Sequence, residues 1–317
     1  MTTVQVNNHK PSLGARIINA VLGPGYHLFR RREVVEGTPQ ARDMAKSAAW
    51  QPSGRAQKAY GLIPWQDRSD VWTLTGADPQ GPVVVYLHGG SYWHEPGGFH
   101  WVFLRQLVNR TGARVIAPLY PRAPKYDYRQ THEMVMGLWD ELLETQDPAR
   151  VLFMGDSAGG GLALAFAQEL RDAGKPGPGG MVLLAPWLDV ALRNPEIARQ
   201  EQVDPMLRRE RILPMAAFYA KGDWDNPLVS PLFGQLKGLP PVWFFQGTYD
   251  ILYPDAVQFQ KKAAGEGCEV DMYVAPGMPH VYPLYPTREG AAARKEIFRI
   301  VTDFDARTRR EPAGAPA

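Results

Sequence analysis

Ser157 stands at the centre of Gly155-Asp156-Ser157-Ala158-Gly159, the stretch of this chain best suited to covalent chemistry. An apolar segment, 151–154, stops at Gly155, and a small-residue helical segment, 162–170, begins just beyond Gly161. A Gly-x-Ser-x-Gly pentapeptide between strand and helix makes a sharp turn, with glycines where a Cβ would collide with a neighbouring element. The serine hydroxyl then projects above the sheet, and the helix N-terminus points at any negative charge developing beside it. The simpler alternative is a Gly-rich turn whose serine caps a helix.

A serine hydroxyl is a weak nucleophile at neutral pH until a base takes its proton. The base is normally a histidine held in one tautomer by a carboxylate. Two later segments offer these partners at strand ends. Residues 242–246 lead into Gly247-Thr248-Tyr249-Asp250, and residues 269–274 lead into Ala275-Pro276-Gly277-Met278-Pro279-His280. Asp250 and His280 therefore share a rim with Ser157, in the chain order serine, acid, histidine. Asp255 is the competing acid, but it falls inside the helix that follows, so Asp250 is preferred. Acyl transfer also needs donors aimed at a tetrahedral oxyanion. His88-Gly89-Gly90-Ser91 follows the apolar run 83–87 and can turn backbone N–H groups inward. The expected oxyanion loop is Gly89, Gly90 and Ser91, completed by the Ala158 N–H, while His88 braces the loop.

These residues need a scaffold that brings strand ends together. Strand-like segments at 71–75, 83–87, 114–117, 151–154, 181–184, 242–246 and 269–274 alternate with helical segments at 99–110, 128–144, 157–173, 254–264 and 287–304. That alternation predicts an α/β fold with a mostly parallel central sheet and helices on both faces. Two regions interrupt it. Residues 1–65 are poor in strands, and 187–230 carry Trp187, Trp224, Phe218, Tyr219 and a helical segment at 204–221. Both are read as a cap over the strand ends, the alternative being decoration packed elsewhere. The organisation is then an N-terminal cap segment 1–65, a catalytic domain 66–305 with a helical cap insertion near 187–230, and a tail 306–317. Trp187 and Trp224 either line an acyl or aryl pocket or form the core of the cap.

The bulk numbers narrow the function classes. Lys plus Arg is 35 against 33 for Asp plus Glu, a balance that gives nucleic acid no electrostatic foothold. The single Cys268 allows neither an internal disulfide nor a zinc cluster. His88, His94 and His100 recur every six residues, which suits neither one helix face nor a metal loop. Gly159-Gly160-Gly161 lacks the Gly-Lys-Ser/Thr of a phosphate loop. No stretch approaches the roughly 18 apolar residues of a membrane span, and residues 1–11 lack the charged-then-apolar order of a signal peptide, so the expected location is cytoplasmic. Residues 12–32, with Ile17, Ile18, Val21 and Leu22 at helical spacing and Arg30-Arg31-Arg32 behind them, read as a helix packing on the main domain. A weak interfacial helix is the alternative, and Gly23-Pro24-Gly25 is expected to break it.

His88-Gly89-Gly90 with Gly155-Asp156-Ser157-Ala158-Gly159-Gly160 resembles the hormone-sensitive lipase-like branch of the α/β-hydrolases. Asn226-Pro227-Leu228-Val229-Ser230-Pro231-Leu232-Phe233, Leu239-Pro240-Pro241 and Asp250-Ile251-Leu252 are similar to later blocks of that family, so the likeness covers about 80–305. The resemblance implies Ser157 as nucleophile, His280 as general base and acid, Asp250 as its carboxylate, and oxyanion donors at Gly90, Ser91 and Ala158. It implies hydrolysis of small to medium carboxylic esters through an acyl-enzyme, with a small-molecule ester as partner and no cofactor. Ser91 replaces the family's usual third glycine, and the bulky Tyr92-Trp93 behind it departs from the short-chain pattern. Tyr92, Trp93, Trp187 and Trp224 are the expected substrate-binding residues. An arylformamidase-type amide hydrolase or an acyltransferase using the same triad is the alternative, and a non-catalytic receptor on the same fold a more distant one.

Overall fold

The computed structural model describes residues 2–6, 10–29 and 51–310. Nine strands form one sheet in the order β1-β9-β8-β7-β6-β4-β5-β3-β2. The central strands are β4 (Val83–Leu87), β6 (Val151–Asp156) and β7 (Gly180–Leu184), with every residue buried. Continuous apolar runs of this kind belong in strands covered on both faces. They pair in parallel with one another and with β5 (Arg114–Pro118) and β8 (Val242–Tyr249). Only β3 (Arg68–Leu74) runs antiparallel, to β5 and to the three-residue β2 (Ile63–Trp65).

β1 (Thr2–Val6) extends the sheet as a parallel edge strand on β9 (Val270–Pro279). A five-residue stretch reading Thr-Thr-Val-Gln-Val is too short and polar to announce itself. It is ordered by the ladder that β9 offers, and so the first 65 residues do contribute to the sheet. Next comes α1 (Leu13–Phe29). It docks beside the end of β9: Asn19 donates to the Gly277 carbonyl at 3.0 Å, and Ser12 bonds both oxygens of Glu289. The helix continues through Gly23-Pro24-Gly25 instead of breaking there, since one proline removes a single backbone donor and a docked helix can absorb that loss. Arg30-Arg31-Arg32 and the rest of 30–50 lie outside the described residues, as do 311–317.

Residues 98–143 supply α2 (Gly98–Thr111) and α3 (Tyr128–Leu143), one on either side of β5 in the chain. The helix after β6, α4 (Ser157–Asp172), is almost entirely buried. Its small residues are a packing requirement: a Cβ on Gly159 would lie 2.0 Å from the Leu87 carbonyl oxygen, and one on Gly161 2.2 Å from that of Trp187. The insertion after β7 holds α5 (Ile197–Gln200) and α6 (Arg209–Ala220). Its helix begins at Arg209, later than the periodicity from 204 suggests, because Arg208 is extended and Asp204 caps an earlier turn. After β8 come α7 (Tyr253–Glu266), β9 and α8 (Arg288–Thr308). The last helix overruns the expected boundary at 305, because Ile297, Ile300, Val301 and Phe304 keep one face buried. Among the described residues, no helix is long and apolar enough to cross a membrane.

Candidate active site

Strand register brings the candidate acid and base together. β8 and β9 pair Tyr249 with Pro279, so the next residues, Asp250 and His280, leave the sheet side by side. The His280 Nδ1 lies 2.8 Å from Asp250 Oδ2. Both side chains are buried, which excludes water from their bond and strengthens it. The same Asp250 oxygen accepts Gln246 Nε2 at 2.9 Å, and its Oδ1 accepts the Leu252 N–H at 2.9 Å. Burial lowers the basicity of His280, but Asp250, with Asp204 and Asp156 behind it, outweighs that and raises its pKa above 6.5. Thr248 Oγ1 accepts the Gly277 N–H at 2.8 Å, tying the acid loop to the histidine loop.

Ser157 follows β6 directly. Its φ of 52° places a non-glycine residue in the left-handed region, at a cost of roughly 1–3 kcal/mol that the surroundings must hold. They do so from both sides: the Ser157 carbonyl accepts the Trp187 N–H at 2.8 Å, and the close-packed glycines of α4 fix the turn below. The left-handed residue turns the chain from strand into helix, so Ser157 and the N–H of Ala158 lie at the N-terminal end of α4.

The oxyanion loop lies beside this elbow because β4 and β6 pair Leu87 with Gly155. Gly90 has φ 123°, and a Cβ there would meet the His94 carbonyl oxygen at 2.7 Å. Its own carbonyl accepts the N–H groups of Trp93 and His94, curling the loop tightly. Ser91 and Tyr92 follow in the left-handed region, at φ 58° and 56°. Gly89 serves a different purpose from the one expected. Its N–H is committed to Asp156 Oδ1 at 2.8 Å, which leaves Gly90, Ser91 and Ala158 as the candidate backbone donors. His88 is a brace: its Nδ1 contacts the Gly89 carbonyl at 2.7 Å and its ring stacks on Tyr120. Burial first, and Arg122 second, depress its pKa to about 3, so it is neutral.

Asp156, the residue before Ser157, organises the floor of the candidate site. Tyr86 and Gly89 both donate to Oδ1, and His100 Nε2 lies 3.2 Å from Oδ2. His100 Nδ1 accepts the Gly97 N–H, which makes Nε2 the protonated nitrogen. Burial would raise the Asp156 pKa, but His100, Tyr86 and the Gly89 N–H together lower it to about 2. Neither this carboxylate nor Gln246 stands out in the sequence: the partners of Asp156 are 56 to 70 residues away, and Gln246 meets Asp250 only through the turn that ends β8.

Three of the four aromatic residues expected to bind substrate have packing partners within the protein. Tyr92 stacks on Tyr219 of α6 with ring centroids 3.6 Å apart, and Trp93 meets Phe218 edge-on at 5.4 Å. Trp187 bonds the Asp189 carbonyl through its indole and packs near Tyr92. Tyr92 and Trp187 are each 1% exposed. These rings clamp the oxyanion loop to the insertion, because stacking an aromatic pair favours burial over solvent contact. Trp224 is half-buried at the edge of the same cluster.

A strained serine elbow after β6, a buried aspartate–histidine pair after β8 and β9 and a glycine-turned loop after β4 leave the parallel sheet at one end. A family profile described as alpha/beta hydrolase fold matches residues 84–284. The chain belongs to the α/β-hydrolase fold family. Within it, this hydrolase falls in the hormone-sensitive lipase-like, esterase branch. It is 35% identical over 240 residues to an acetyl-hydrolase of Streptomyces hygroscopicus, covering 73% of this chain and 80% of the relative. It is 36% identical over 215 residues to a triacylglycerol lipase of Mycobacterium tuberculosis, covering 68% of this chain and 45% of that longer protein. A solved esterase from the bacterial hormone-sensitive lipase family superposes with a TM-score of 0.72 at 28% identity, covering 94% of this chain and all of the other. The doubly covered parallel sheet of this α/β-hydrolase is the shared scaffold.

Proposed function

We propose that this α/β-hydrolase is a serine carboxylic ester hydrolase acting on small to medium acyl groups through an acyl-enzyme intermediate. The observation that carries the reading is the 2.8 Å Asp250–His280 bond on the same rim as the left-handed Ser157. The Ser157 Oγ attacks the ester carbonyl carbon while His280 Nε2 takes its proton. The carbonyl oxygen becomes an oxyanion facing the N–H groups of Gly90, Ser91 and Ala158, which stabilise charge that exists only after attack. The imidazolium then gives its proton to the departing alcohol oxygen, leaving an ester on Ser157. Water repeats the sequence: His280 takes its proton, hydroxide adds to the acyl carbon, and the proton returns to Ser157 as the acid leaves. Asp250 accepts the Nδ1–H and keeps it pointing away from the nucleophile. Relatives named acetyl-hydrolase, triacylglycerol lipase and esterase support an ester substrate.

Hydrolysis of p-nitrophenyl acetate and butyrate, with stoichiometric labelling by a fluorophosphonate, tests the reading. Ser157→Ala is expected to abolish both turnover and labelling. Undiminished ester turnover by Ser157→Ala would overturn it.

A further inference from the structure

The insertion meets the acid loop at two points: Gln200 donates to the Thr248 carbonyl ahead of Asp250, and the Asp204 carboxylate holds the turn directly after it. Asp204 is 1% exposed and lies four residues before Arg208, the extended residue that leads into α6. Its Oδ1 accepts the N–H groups of Met206 and Leu207 at 2.6 and 2.9 Å, closing a local turn. Its Oδ2 leaves that turn altogether and accepts the Ile251 N–H at 2.8 Å. Ile251 directly follows Asp250, and the chain there forms a tight turn in which the Tyr253 N–H donates to the Asp250 carbonyl. Two carboxylates therefore hold consecutive amides of one turn, Asp204 that of Ile251 and Asp250 that of Leu252.

We propose that Asp204 is a positioning residue for the triad, fixing through the Ile251 N–H the turn that presents Asp250 to His280. The proposal rests on the assignment of Asp250 and His280 given above. The bond spans 47 residues of chain, so the insertion and the acid loop are held in one arrangement where either alone would have several. A carboxylate is suited to this role because it accepts on both oxygens, whereas an amide side chain accepts on one. Its negative charge also adds to that of Asp250 in favouring protonated His280. Burial first, and Asp250 second, push the Asp204 carboxyl up to about 6. The charged and titratable groups against it among the described residues are Asp250 and His280 on the acid and histidine loops, and Arg208, which donates to the Asp204 carbonyl.

Asp204→Asn separates the two jobs. Its single Oδ1 can keep the Met206 and Leu207 N–H groups, while its amide nitrogen faces the Ile251 N–H donor to donor. Asp204→Ala removes both. Activity on p-nitrophenyl acetate is measured per fluorophosphonate-titrated site, so that only correctly folded molecules are counted. Expected for Asp204→Asn is a fall in kcat of roughly tenfold or more with KM within about twofold. The acid limb of kcat/KM is expected to move to lower pH by about half a unit, as one nearby negative charge is lost. Unchanged kcat per titrated site and an unmoved acid limb in Asp204→Asn, with only the melting temperature of Asp204→Ala reduced, would reduce Asp204 to a structural turn and overturn the proposal. Ser157→Ala run in parallel keeps the two levels apart. If it retains turnover, the triad assignment itself falls. If it is inactive while Asp204→Asn behaves as wild type, only the positioning role falls.

Discussion

The Asp156 carboxylate accepts the Gly89 N–H at 2.8 Å, so the nucleophile elbow and the oxyanion loop are one hydrogen-bonded unit. The same oxygen receives the Tyr86 hydroxyl, and a Cβ on Gly89 would strike the other carboxylate oxygen at 2.2 Å. The loop is thus held at a distance only glycine permits.

Asp156→Ala strands two buried donors, each at a cost of about 1–3 kcal/mol. The expected outcome is a clear drop in melting temperature and a fall in kcat/KM of about 10- to 100-fold as the oxyanion donors drift. Thermal melts and ester kinetics on the same preparation check both. The Asp156 pKa is lowered to about 2 against 3.8 unperturbed. Its ionised form therefore supports the wild-type fold above pH 4, and that support is lost as pH falls from 4 towards 2.

Asp250→Asn leaves the shape of the site but presents an amide to His280 Nδ1, which favours the wrong tautomer. We expect kcat to fall by about 10³- to 10⁴-fold with little change in KM. Steady-state kinetics at saturating ester measures it, and a loss below tenfold would point to a different acid.

Neutral His280 is the form that accepts the serine proton, and its pKa is raised above 6.5. Activity is therefore low while the imidazole is protonated and rises with pH through a midpoint above 6.5. A kcat/KM profile on an ester whose leaving group does not titrate in this range locates that midpoint. An acid limb centred near 5 would contradict the environment described.

Asp255 is buried with neither oxygen hydrogen-bonded. Burial first, and the nearby Asp189, push its pKa up to about 7. The folded state then binds a proton more tightly than the unfolded chain, so stability declines as pH rises from about 4 to 7 and stays reduced above that. Asp255→Asn is expected to raise the melting temperature at pH 8 and to leave it nearly unchanged at pH 4. Calorimetry or fluorescence melts at the two pH values decide the matter.

Gly159→Ala inserts a methyl group 2.0 Å from the Leu87 carbonyl oxygen. Backbone on both sides leaves no flexible side chain to move. We expect destabilisation above about 3 kcal/mol, seen as loss of soluble protein or a sharply lower denaturant midpoint. Gly265→Ala, with open space around its Cβ, is the matched control.

Much of this could be read from local sequence. The seven central strands and five helices follow from apolar runs and 3.6-residue periodicity, and the elbow from five residues whose order has few other uses. The boundaries that shifted did so for tertiary reasons: β1 exists because β9 has a free edge, and α6 starts late because Asp204 spends its side chain on Met206 and Leu207. The packing of the aromatic residues behind the oxyanion loop is hidden from the sequence for a similar reason. A ring that stacks on Tyr219 and a ring that meets substrate have the same composition, and only the packing partner tells them apart.

Residue type and chain order by themselves determined the candidate nucleophile, its acid and base candidates, and the mostly parallel α/β scaffold, because those depend on bonds and periodicities within a few residues. Tertiary structure alone decided that Tyr249 pairs with Pro279, that Gly89 gives its N–H to Asp156, and that Asp204 reaches Ile251. These contacts join residues 30 to 67 positions apart, and their partners are set by strand register and by which buried donors lack another acceptor. No local pattern encodes that choice, since it is made only when the whole core closes.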